Sequence, residues 1–426
     1  MNYGIRANLG QVVQQLLQVL LVGMTIGMMR NVVPALAEAE FGVPRGSFML
    51  LVAFVVAFGF VKGAMNFVAG RLAERIGRRQ VLLIGWLVAL PIPALIYFAR
   101  SWNWIVLATV LLGVNQGLTW SMTQTAKLDL TRADQRGLVI GLNEFCGYLG
   151  VALAGVITGY GATLLGPRAG LLWFGAAVIA GATLLAWLAV VETLPWAQAE
   201  GQSDAASPLA QALRPRYPSG VSEQATTGEL LALMSWRDRR MAALCQAGLV
   251  EKFVDALVWA FWPVYLHQQG ASLPAIGWML GIYGFAWGGA QFFTGRLSDR
   301  IGRHRLNAWG MWVCGSGVAM MPLGAGPLWW SASAAVAGGG MAMLYPNLSA
   351  AVADIAHPSW RASAIGIYRF WRDLGYGIGA LGLGAAAVLG GRIETAFWFV
   401  AIAMGLSGLA LSHWGEETHP RLNPAP

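Results

Sequence analysis

The chain has 426 residues, of which 57% are hydrophobic and only 11% charged, with a mean hydropathy of +0.56. A soluble domain carries roughly 25% charged residues, so the composition excludes a soluble globular protein and points to a polytopic α-helical membrane protein. The net charge of +8 would suit a nucleic-acid partner, but its distribution along the chain assigns it to membrane topology instead.

The first ten residues, "MNYGIRANLG", are short and polar and lead into an apolar run too long for a signal sequence, so no cleavable signal is expected. A membrane-crossing helix needs about 20 mostly apolar residues, and twelve such spans follow in order. The first six lie at 12–37, 47–69, 80–99, 103–126, 137–162 and 169–191. The second six lie at 241–266, 274–294, 306–323, 327–353, 362–388 and 395–414. Many of the 55 glycines fall inside spans, where small residues let helix backbones approach closely. Cys146, Cys245 and Cys314 also lie within spans, at spacings that suggest neither a disulfide nor a metal site.

Between the sixth and seventh spans, residues 196–226 are rich in Ala, Ser, Pro and Gln and read as a flexible linker. After it, "TTGELLALMSWRDRR" offers an N-cap at Thr226 or Thr227 and an apolar face of Leu230, Leu233, Met234 and Trp236, so a short interfacial helix is expected. The implied domains are a six-span bundle over 1–195, a linker with an amphipathic helix over 196–240, and a second bundle over 241–426.

With the N-terminus in the cytoplasm, loops and tails on that side hold 19 Lys and Arg, Lys127 and Arg136 among them, against four on the other side. That bias is the positive-inside pattern and places both termini in the cytoplasm.

An internal repeat runs through the chain. "GRLAERIGRR" at 70–79 recurs as "GRLSDRIGRH" at 295–304, an offset of 225. The same register aligns Gly113 with Gly338, Asp129 with Asp354, Arg136 with Arg361 and "ETLP" at 192–195 with "ETHP" at 417–420. Two homologous six-span halves in parallel orientation follow.

Two such halves, a central loop and a duplicated G-x-L-[AS]-[DE]-R-x-G-R motif resemble the major facilitator superfamily over nearly the whole chain. The resemblance implies two bundles that rock about a central site, giving alternating access. The motif residues are Gly70, Glu74, Arg75, Gly77 and Arg78 in the first copy, and Gly295, Asp299, Arg300, Gly302 and Arg303 in the second. Gly70 and Gly77 are expected to permit the tight turn. Glu74 is expected to meet the N-terminal end of span 11 and Asp299 that of span 5, latching the cytoplasmic side shut. Arg78, Arg79 and Arg305 are expected to anchor at headgroups. The Gly-Pro-x-x-Gly-Gly motif of many drug–proton antiporters is absent from span 5, which weighs against that group.

Nine ionisable residues fall inside spans: Arg30, Lys62, Glu144, Glu251, Lys252, Asp255, Arg369, Arg372 and Asp373. A charge in hydrocarbon costs a few kcal/mol or more, so each should face protein or a wet cavity. Spans 3, 6, 9 and 12 carry none of them, and the resemblance implies that these spans form the lipid-facing periphery. Lys62 and Asp373 lie at comparable depths on spans 2 and 11, which the resemblance implies are neighbours across the interface of the halves, and are expected to pair there. Asp255, then Glu144, then Glu251 are the candidates for a coupling proton. The candidate substrate cavity takes Arg30, Gln116, Trp120, Trp259, Trp262, Tyr345, Arg369 and Arg372, with Gln11, Gln14, Gln15, Gln18 and Asn115 as further polar groups.

The expected function is proton-coupled secondary transport of a small solute across the inner membrane by a monomer, with solute, protons and lipid bilayer as partners. Tryptophan-rich, glycine-rich spans lean to export of an organic compound, and the arginines to uptake of an organic anion. A facilitator without ion coupling and a non-transporting scaffold or sensor are the alternatives. Without a nucleophile elbow, zinc signature or phosphate loop, an enzyme is not expected, nor is a cofactor, metal or nucleic acid.

Overall fold

Within a bilayer, apolar segments of this length can satisfy their backbone groups only as helices or closed barrels, and the described chain forms helices, with no strand among the described residues. The structure, a computed structural model, describes residues 1–41, 48–206, 225–419 and 422, with side chains described outside 30–39, 48–56, 203–206 and 273–274. Twelve spans make two parallel six-helix bundles. Spans 1, 2, 4, 5 and 6 are the helices Leu9–Phe41, Phe48–Ile76, Trp102–Leu130, Arg136–Leu165 and Pro167–Ala189. Spans 8 to 12 are Leu273–Ile301, His304–Leu323, Pro327–Ile355, Arg361–Gly390 and Glu394–Trp414.

Proline shapes the other two. Span 3 breaks between Arg78–Ala89 and Ile92–Tyr97, where Pro91 and Pro93 lack the amide protons that a continuous helix needs. Span 7 runs Arg239–Ala256, widens into a π turn over Leu257–Phe261, and resumes as Trp262–Gln268. Pro263 cannot donate to the carbonyl of Trp259, and the backbone there is free to widen.

Packing repeats with the sequence. Spans 1 and 5 pair as spans 7 and 11 do, and spans 2 and 4 as spans 8 and 10 do. Two seams join the halves: span 2 against span 11, and span 5 against span 8.

The motif turns are built alike. Gly77 and Gly302 carry φ of +96° and +101°, a region open to glycine at no steric cost. Each turn presents the N-terminal amides of the next span to a carboxylate from the end of its own half. Arg78 N and Arg79 N donate to Glu192 at 2.9 and 3.0 Å, and Arg303 N and His304 N donate to Glu417 at 3.0 and 3.2 Å. That is the reason "ETLP" and "ETHP" repeat. Gly70 and Gly295, by contrast, are not turn residues. They lie inside spans 2 and 8, and a Cβ on Gly70 would sit 2.5 Å from the carbonyl oxygen of Ala362 on span 11. Close approach across the seams is what requires glycine there.

The stretch read as a flexible linker is helical over Leu194–Ala206, and residues 207–224 lie outside the described residues. Beyond it, Thr226 and Glu229 form a capping box at the helix Thr227–Ala232. Leu230, Leu233 and Met234 are buried there, while Trp236 is exposed.

Candidate functional site

At the motif face the two halves are tied by three sets of contacts. Glu74 accepts from Ser363 N at 2.8 Å and Ser363 Oγ at 2.7 Å. The repeat-related Asp299 accepts from Gly137 N at 3.0 Å and Leu138 N at 2.8 Å. Carboxylates at the first free amides of spans 11 and 5 meet the positive ends of those helices.

The second set is buried and arginine-based. Arg78 reaches Asp129 at 2.8 Å, and its counterpart Arg303 reaches Asp354. Arg136 then crosses to Asp354 at 3.1 Å, and Arg361 to Asp129 at 4.0 Å. Arg78 is therefore no headgroup anchor, being only 2% exposed. Arg75, Arg300 and Arg305 are exposed.

The third contact has no counterpart in the repeat among the described residues. Glu200 accepts from both terminal nitrogens of Arg361 at 2.8 Å and from Arg136 at 3.1 Å, bridging the starts of spans 5 and 11. Burial would raise its carboxyl, but Arg361 and Arg136 outweigh that and hold it below the usual carboxylate range.

Deeper in, about 16 Å along span 11 from Arg361, lies a buried ionic network. Lys62 Nζ stands 3.5 Å from Asp373 Oδ2, which also accepts from Asn66 at 2.6 Å, so spans 2 and 11 are joined here. Arg369 donates to Gln124 at 2.7 Å and lies 3.9 Å from Glu144, which in turn accepts from Trp120 at 3.0 Å and Asn143 at 2.9 Å. Tyr148 and Tyr345 join hydroxyls across the halves at 2.8 Å. Lys252 donates to Tyr345 at 3.0 Å and to Asp255 at 2.6 Å, and Asp255 accepts further from Tyr283 and Tyr376, each at 3.1 Å. Arg372 lies over the Tyr345 ring at 4.4 Å, 4.0 Å from Glu251 and 3.5 Å from Asp373.

Repeat-equivalent positions supply both walls with different chemistry. At the offset of 225, Lys62 corresponds to Trp287, Trp120 to Tyr345, Glu144 to Arg369 and Tyr148 to Asp373. All eight are on or beside the network.

The structure brings together Lys62, Trp120, Glu144, Glu251, Asp255, Tyr345, Arg369, Arg372 and Asp373, with the Trp259 ring tilted against that of Tyr376 at 5.5 Å. It does not bring in Trp262, whose indole donates to Met321 and packs on Tyr283 and Phe397 inside the second bundle. Gln116 is likewise turned within its own half, donating to Val22 O and Thr25, and Asn115 to Gly85 O. Gln11 bonds Ala189 O and Val191 N, and Gln18 bonds Trp86 and Ala182 O, so both hold span 1 to its neighbours. The Arg30 side chain lies outside the described residues. Lys127, read as a loop cation, is fully buried on span 4 and donates to Gln15 O at 3.1 Å. Asn66, Tyr148, Trp287 and Glu200 were missed as site residues; the 225-residue register was the signal that could have found Tyr148 and Trp287.

Known proteins share this architecture. An uncharacterised MFS-type transporter of Salmonella typhimurium strain LT2 is 23% identical over 367 residues, covering 81% of each chain. The human organic anion transporter MFSD10 superposes with a TM-score of 0.75 at 20% identity, over 94% of this chain and 99% of that one. A proton:xylose symporter superposes with a TM-score of 0.77 at 16% identity, over 98% and 97%. At such identities the structures speak for the fold alone. The Major Facilitator Superfamily model matches residues 16–250 and again 244–426, and the chain belongs to that superfamily.

Proposed function

We propose that the protein is a proton-coupled secondary transporter that moves a small organic solute by alternating access, as a monomer in the inner membrane with both termini and the motif face cytoplasmic. One observation carries the reading: a continuous network of fully buried charges, contributed by both halves, sits midway along the seams that must part. Buried charges cost several kcal/mol each, and a static membrane bundle could close the same seams with apolar residues. The cytoplasmic contacts are of a kind that can break and re-form: helix-end amides on single carboxylates, and arginines shared between two partners. Lys62 and Asp373 join the halves in the closed cytoplasmic arrangement. Asp255 and Glu144 are each held by several donors, whereas Glu251 accepts no hydrogen bond among the described residues, which moves Glu251 to the front of the three carboxylates for proton coupling.

The test is purified protein in liposomes with an internal pH dye, challenged with organic anions, cations and neutral compounds. Solute-driven proton movement that disappears in a carboxylate variant supports the reading. Solute flux without protons overturns the coupling, and no flux with any compound from folded protein overturns transport altogether.

A further inference from the structure

Arg372 and Glu251 are an ion pair that the structure leaves chemically open. Each side chain is 0% exposed, on spans 11 and 7 of the same half. Nε, Nη1 and Nη2 of Arg372 have no hydrogen-bond partner among the described residues, and neither do Oε1 and Oε2 of Glu251. Native buried polar groups are hydrogen-bonded in the great majority of cases, and a guanidinium offers five N–H donors in a planar fork. At 4.0 Å the two groups balance charge without spending that hydrogen-bonding capacity. The other cations do spend theirs at least in part: Arg369 on Gln124, Lys252 on Asp255 and Tyr345. Asp373 gives its Oδ2 to Asn66 and Lys62, while its Oδ1 stands 3.5 Å from Arg372 Nε, also without a hydrogen bond among the described residues. The fork rests on the Tyr345 ring at 4.4 Å, with the Tyr368 ring at 5.9 Å.

Resting on the transport reading above, we propose that Arg372 is the substrate-recognition residue for an organic monoanion, a carboxylate carried on an aromatic or apolar body, and that Glu251 is the proton-linked competitor for the same guanidinium. While Glu251 is ionised it holds the charge of Arg372. A proton taken from water onto a Glu251 oxygen forms a neutral acid, and the substrate carboxylate replaces it at the fork, where two parallel N–H···O bonds can form. One anion and one proton thus move together and the transfer is electroneutral. The groups around Glu251 fit this exchange. Lys252 and Asp255 on its own span largely offset each other. Span 11 presents Arg372, Asp373 and Tyr368; span 10 presents Tyr345; spans 8 and 9 add the neutral Tyr283 and Cys314.

The experiment measures ligand-induced thermal stabilisation of the full-length protein in nanodiscs, with benzoate, phenylacetate and hexanoate, each beside its neutral amide, at about pH 5.5 and about pH 8. Expected is stabilisation by at least one carboxylate and by no amide, with affinity falling up to roughly tenfold per pH unit as one linked proton is lost. Glu251→Gln should bind that carboxylate equally at both pH values and still exchange it across liposomes, but should not accumulate it on a pH gradient. Arg372→Lys keeps the charge without the fork and should weaken binding by about tenfold or more, and Arg372→Gln by about a hundredfold; a monodisperse protein with one cooperative unliganded melting transition certifies the fold of each, even where that transition is lowered by the lost buried charge. The assignment is overturned if no carboxylate stabilises, if amides do as well, or if Glu251→Gln keeps the pH dependence. Proton-linked flux of a neutral or cationic solute in the liposome screen would overturn it while leaving the transport reading standing; absence of any flux would remove both.

Discussion

Glu200→Gln tests whether the motif face is held shut by an element outside the repeat. The wild-type carboxylate accepts charge-assisted hydrogen bonds of 2.8 Å from both terminal nitrogens of Arg361 and one of 3.1 Å from Arg136. A buried hydrogen bond to a charged group contributes about 1.5–3 kcal/mol. The Glu200 side chain is 23% exposed, and glutamine keeps one acceptor oxygen, so about 2 kcal/mol is expected for the whole substitution rather than for each bond. That shifts the ratio of closed to open motif face by roughly 30-fold, enough to take a population of about 99:1 to about 3:1. Double electron–electron resonance in nanodiscs reads this directly, with spin labels at Arg132→Cys, whose side chain is 57% exposed, and at the exposed Arg300→Cys. The longer-distance population should grow from a trace to a major fraction. Glu416→Gln, at a carboxylate 61% exposed, serves as the control. If Glu200→Gln leaves the distances as Glu416→Gln does, Glu200 does not tie the halves together.

Further outcomes follow from the same geometry. Since Arg361 and Arg136 hold the Glu200 carboxyl below its ordinary value of about 4.5, its contribution is fully present above that value and lost only as pH falls through the lowered one. The increment caused by Glu200→Gln should therefore be equal at about pH 8 and about pH 5.5; a difference would contradict the bridge. Gly70→Leu places side-chain atoms against the Ala362 carbonyl and should disfavour the closed motif face, seen as faster modification of cysteines placed along spans 2 and 11; unchanged labelling would refute the close approach. Lys62→Met strands Asp373 beside Asn66 and Arg372 and should lower thermal stability by about 3 kcal/mol or more. Lys62→Met with Asp373→Asn removes both charges and should recover most of the loss; a double variant as unstable as the single one would show that the pair is not coupled.

Local chain chemistry determines some contacts and leaves others to packing. Glu74 and Asp299 were assignable to the helix ends they meet, because a repeated motif with an acid at a fixed position and a helix N-terminus opposite it leaves few partners. Lys62 and Asp373 were legible from depth combined with the family resemblance: residue spacing converts to height in the membrane, and the resemblance implies that spans 2 and 11 are neighbours. Trp262, Gln116, Gln11 and Gln18 were misplaced because depth says nothing of azimuth. A helix turns 100° per residue, and which side of span 1, 4 or 7 faces the seam depends on how six helices pack, not on the span itself. Arg78 and Lys127 illustrate the same gap from the other side: a basic residue near a span end reads as a loop cation until tertiary packing encloses it.

The amino-acid sequence by itself determined the membrane class, the twelve-span duplication at an offset of 225 residues, and the withholding of charge from spans 3, 6, 9 and 12. Each of these follows from local chain chemistry, because lipid penalises exposed charge and unpaired backbone wherever a span happens to sit. Tertiary structure alone decided that Arg372 confronts Glu251 without a hydrogen bond, that Tyr148 reaches Tyr345 across the halves, and that Glu200 leaves a presumed linker to clasp two arginines. Those are relations among distant segments, set by helix rotation and by which seams close, and no local pattern encodes them.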